Sequence, residues 1–164
     1  LYDKYFAARL DEQPFRINAG LSDAWYNPET EGQGFLITVF PVLGQAFMAW
    51  FTFLPERPDP PGQLQLGDAG HFWLTAIGPY SGNQAVLEVS ITEGGSFDSA
   101  EPAPATRPFG DIILEFSDCE NGTVSYDIPS LNRQGVIPIE RITLDNVPLC
   151  ESLNDLLPDS QAVQ

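Results

Sequence analysis

From Gly20 onward the chain is cut by Gly, Pro, Asn and Asp into short runs, and inside several of them apolar and polar residues alternate. That twofold period constrains the fold most, because a strand sends successive side chains to opposite faces whereas a helix repeats every 3.6 residues. Leu87, Val89 and Ile91 alternate with Glu88 and Ser90, while Leu114 and Phe116 flank Glu115. Both are patterns of a strand with one buried face. Eight strands are expected: Gly20 to Tyr26, Gln33 to Phe40, Gln45 to Leu54, His71 to Ile77, Gln84 to Thr92, Asp111 to Phe116, Thr123 to Ile128 and Val136 to Thr143. Short strands at this spacing predict a mainly β fold, an eight-stranded antiparallel barrel or sandwich, meander-like, with a short helix near each terminus.

The chain of 164 residues is long enough for one core. Residues 1–19 are expected to be a helical segment, because Tyr2, Phe6 and Leu10 form an i, i+4, i+8 stripe that packs on the sheet or on a partner. Residues 20–157 form the β domain with a C-terminal helix carrying Leu149, Leu153, Leu156 and Leu157, capped by Asp145 or Asn146 and ended by Pro158. Residues 158–164 are expected to be a flexible tail. The runs from Phe35 to Phe40 and from Phe47 to Phe53 are apolar on both faces, so something must cover the second face. The terminal helices are the simplest cover, with a ligand or a partner chain as alternatives.

The formal charge of −16, from 23 acidic and 7 basic residues, repels phosphate backbones and anionic headgroups, and the basic residues form no stripe. Nucleic acid is therefore not an expected partner. No apolar run reaches the roughly 20 residues of a membrane helix, and membrane insertion is not expected either. Met48 is the only methionine, so the sequence reads as a chain whose targeting peptide was removed, or as a fragment. Cys119 and Cys150 lack metal or C-x-x-C spacing. A structural disulfide is the simplest reading, two buried thiols the other; a disulfide implies a secreted, extracellular, periplasmic or cell-surface location.

In an up-and-down meander the connections alternate between the two ends of the sheet. Pro41 to Gly44, Gly78 to Asn83 and Ser117 to Gly122 then fall at one end, and Asn27 to Gly32, Pro55 to Gly70, Glu93 to Gly110 and Pro129 to Gly135 at the other. Long loops held by a rigid scaffold are where binding usually resides. Their prolines also fit idle loops stiffened against unfolding.

Signals for catalysis are weak. His71 is the only histidine and no G-x-S-x-G turn accompanies it. Glu88, Glu115 and Glu140 could serve as paired carboxylates for glycoside hydrolysis, but their alternation with core positions fits a solvated face. Asp23, Glu29 and Glu31 are a weak calcium candidate, and a solvated turn explains them as well. No cofactor is expected. Trp25, Tyr26, Trp50 and Trp73, with Glu29 and Glu31, are the candidate binding residues, since indole faces outside the core can stack on sugars or apolar ligands.

The run Trp25-Tyr26-Asn27-Pro28-Glu29-Thr30-Glu31-Gly32-Gln33-Gly34-Phe35, with Ala49 to Phe53, Trp73 to Ala76, Phe116 to Thr123 and Ile137 to Arg141, resembles a module of secreted bacterial proteins whose function is uncharacterised. The resemblance spans most of Trp25 to Arg141. It implies an exported β-rich module and carries no activity. The expected role is a non-catalytic, exported β module that binds or assembles with another macromolecule, through a protein partner or self-assembly. The alternatives are a barrel binding a small ligand or glycan, and a glycan-directed hydrolase.

Overall fold

The computed structural model describes residues 14–55 and 71–156. The N-terminal stripe and the C-terminal tail expected from the sequence lie outside the described residues. Eight strands follow one another as β1 (Asp23–Tyr26), β2 (Gly34–Phe40), β3 (Gln45–Phe53), β4 (His71–Ser81), β5 (Gln84–Glu93), β6 (Ala105–Phe116), β7 (Asn121–Ile128) and β8 (Arg133–Arg141), before helix α1 (Val147–Leu156). Each strand pairs antiparallel with the next, and β8 returns to β1. The fold is a closed up-and-down barrel, which decides between the barrel and the sandwich.

Alternation sorts the side chains as the twofold period requires. Phe35, Ile37 and Val39 of β2, Ala46, Met48 and Trp50 of β3, and Ala85, Leu87 and Val89 of β5 fill the interior. One end of the barrel is sealed. The connections at residues 41–44, 82–83 and 117–120 are all short there, and Ile17 N–H donates to the Gly82 carbonyl at 2.8 Å. A 3-10 turn, Ala19–Leu21, crosses this end, capped by the Asn18 side chain, which accepts from Gly20 N–H at 2.9 Å. α1 lies on that turn so closely that a Cβ on Gly20 would sit 2.4 Å from the Cys150 Cα, leaving room for glycine alone. The Cys119–Cys150 disulfide fastens α1 to the β6–β7 turn.

Two expectations need correction. The Gly20 to Tyr26 strand begins only at Asp23, because Asn18 draws Ala19–Leu21 into the capped turn and Leu21 descends into the core. Among the described residues, α1 covers the sealed end and not the outer face of β2 and β3, because its disulfide and Gly20 hold it there. Its buried residues are Val147 and Cys150, while Leu149 and Leu156 are exposed.

β6 also extends back to Ala105, through Pro108. The ladder with β5 shifts register between Val89 and Ser90, where Ser90 faces Pro108, and a bulge is where a strand tolerates a residue without an N–H. Among the described residues no helix is long and apolar enough to cross a membrane.

Candidate functional site

The opposite end is built differently. Connections 27–33, 94–104 and 129–132 gather there with the end of β3 and the start of β4, and β1 has only four residues. Asn27 ends β1 by turning the chain: its side chain accepts from Glu29 N–H and its carbonyl from Thr30 N–H, both at 3.0 Å. Closure of the barrel therefore rests on two pairs, Trp25↔Arg141 and Tyr26↔Glu140, and on the Ile142 N–H, which donates to the Ala24 carbonyl at 3.0 Å. Above them, Arg133, Val136 and Ile137 of β8 and Trp50, Thr52 and Phe53 of β3 border a slot.

A cavity of about 530 Å³ occupies this slot and the mouth behind it. Its floor is aromatic: Trp50 lies between Phe35 and Tyr126, with ring centres 5.4 and 5.3 Å apart. Tyr126 reaches across because its cross-strand partner is Gly135, where a Cβ would stand 2.8 Å from the tyrosine hydroxyl. Leu74 and Ile137 extend the apolar wall. Polar groups enter at the rim, where Thr52 Oγ1 donates to Gln33 Oε1 at 2.6 Å and Arg133 stands at the start of β8.

The candidate tryptophans occupy three separate environments. Trp25 is fully buried at the sealed end, against Phe116 and beneath Arg141, with its indole N–H donating to the Leu21 carbonyl at 3.1 Å. Trp50 floors the cavity. Trp73 points outward from β4 opposite Phe51, in an apolar patch with Leu36 and Ile77, all four between 47% and 50% exposed.

The acidic candidates do not join that cavity. Tyr26 pairs with Glu140 across the seam, and its hydroxyl is held above its ordinary pKa by partial desolvation, then by the charge and hydrogen bond of Glu140 and the charge of Glu31. Glu29 and Glu31 are exposed in the β1–β2 loop. Glu29, Glu115 and Glu140 border a separate outer groove of about 510 Å³, which Glu88 on β5 does not line. Asp23 is engaged by Arg141, whose guanidinium donates to it at 2.6 Å, and by Asn146 at 3.3 Å. Among the described residues no three His, Cys, Asp or Glu side chains are grouped to hold a metal.

Gln33, Thr52, Tyr126 and Arg133 were not singled out from the sequence. The signal for Arg133 was the even spacing Arg133, Gly135, Ile137, Ile139, Arg141, which the expected strand start at Val136 cut short. No family model, no curated protein and no solved structure matches the chain.

Proposed function

We propose that the chain is a non-catalytic, exported binding module that holds a small apolar molecule in the open mouth of its barrel. The observation that carries this reading is the difference between the two ends: one is packed shut by α1 and a disulfide, the other keeps a cavity of about 530 Å³. Small-molecule sites are concave, mostly apolar and roughly 300–1,000 Å³, with a few polar groups fixing orientation. A saccharide fits less well, because Trp50 is 8% exposed and in tilted ring contact with Phe35 and Tyr126, which leaves little open indole face for a sugar ring to stack on. Export is supported by the disulfide, which a reducing cytosol would not maintain, and by the resemblance to a secreted module.

The neutral fluorophore N-phenyl-1-naphthylamine is a suitable probe. Its emission should rise saturably at one site per chain. Thr52→Trp, which places an indole in the opening, should weaken binding at least tenfold while leaving the far-ultraviolet circular dichroism unchanged. Equal affinity in the folded variant would place the probe elsewhere and remove this reading.

The apolar patch around Trp73 and Phe51 favours a second reading, self-assembly. It is where copies of so acidic a chain can meet without bringing carboxylates together. If they meet there, the Trp73 indole resonance shifts as the chain is concentrated; an unchanged resonance would remove it.

A further inference from the structure

β8 carries an arginine at each end of its inward-facing row, Arg141 at the sealed end and Arg133 at the open one. Their surroundings differ completely. Arg141 is buried and fully matched: it donates to Asp23 and to the carbonyls of Gly20 and Cys119, and its guanidinium lies 4.6 Å from the Trp25 ring centre. Arg107 is paired with Glu93. Among the described residues, the Arg133 guanidinium has no ion pair or hydrogen bond, and it stands at the edge of the cavity.

The wall around it is as selective as its position. The sequence holds 23 acidic and 7 basic residues, yet among the described residues the cavity is lined by one arginine and no carboxylate. A largely apolar chamber whose rim carries, among the described residues, one guanidinium without a partner fits a molecule of matching polarity. We propose that Arg133 receives the head group of an amphipathic organic anion, a carboxylate, sulfonate or phosphate ester, whose apolar body rests on Trp50, Leu74 and Tyr126. Arginine suits this role because its planar fork meets such oxygens with two parallel hydrogen bonds. The remote negative charge of the chain does not prevent it, since at 0.15 M salt charges beyond roughly 8 Å are largely screened whereas the contact pair is not.

This inference rests on the mouth being the binding site, and two probes sharing one aromatic frame separate them. 1-Anilinonaphthalene-8-sulfonate carries a sulfonate that N-phenyl-1-naphthylamine lacks. The full chain should bind the sulfonate about tenfold more tightly than the neutral probe, with an affinity that falls as salt is raised. Arg133→Gln should remove that preference and its salt dependence, change the neutral probe less than twofold, and be partly rescued by Arg133→Lys. Equal affinity for the two probes in the unaltered chain, or a preference that survives Arg133→Gln, would overturn the anionic class while leaving the mouth in place. Failure of both probes to compete for a single site blocked by Thr52→Trp would overturn the mouth itself, and this inference with it.

Discussion

Replacing Arg141 with leucine is expected to cost about 3 to 5 kcal/mol, the usual effect of breaking a buried ion pair by removing one partner. The side chain has no exposed surface and Asp23 little, 0% and 13%. Its loss strands the Asp23 carboxylate and leaves the Gly20 and Cys119 carbonyls without their donor. A domain of this size has a total stability of roughly 5 to 15 kcal/mol, so the variant should unfold at much lower urea. Asp23→Leu in the same chain should cost much less than it does alone, because the two residues share one interaction. An unfolding free energy within about 0.5 kcal/mol of the unaltered chain's would show that Arg141 contributes nothing net.

Removing the disulfide through Cys119→Ala with Cys150→Ala is expected to cost about 3 to 4 kcal/mol, the chain-entropy value for a crosslink closing a sequence separation of 31 residues. The effect should be local before it is global. α1 is fastened to the barrel through Cys150, Gly20 and the Asn18 amide, which donates to the Cys150 carbonyl at 3.2 Å. Hydrogen exchange should therefore quicken first over 147–156, with the β5–β6 ladder retaining its protection. Uniform acceleration, or a stability change below about 1 kcal/mol, would contradict the view of α1 as a fastened plug.

The barrel was legible because tight turns and twofold alternation recur along the chain, and because a meander requires no long-range swap in strand order. The cystine followed from two cysteines with no metal spacing. Strand ends were harder. Pro108 argued for a loop until a bulge gave it a place in β6, and Gly20 argued for a strand until Asn18 capped it into a turn.

The mouth was less legible than the barrel. In β2 and β3 both faces are apolar, so alternation fixes which residues share a face without fixing which face is inside. Trp50 and Phe51 therefore read alike, though one floors the cavity and the other meets solvent. Nor does a short β1 announce that the closing seam will be incomplete. That follows from Asn27 turning the chain after only four residues, and the slot beside Arg133 is its consequence.

The three tryptophans report on three parts of the molecule: Trp25 on the sealed end, Trp50 on the mouth and Trp73 on the outer face. One nitrogen–proton correlation spectrum, recorded while N-phenyl-1-naphthylamine is titrated into the labelled chain, follows all three indoles at once. Binding in the mouth requires the Trp50 indole to move to saturation while Trp25 and Trp73 hold their positions. A saturating shift of Trp73 with Trp50 unmoved would place the site on the outer face and contradict the barrel mouth as the seat of binding.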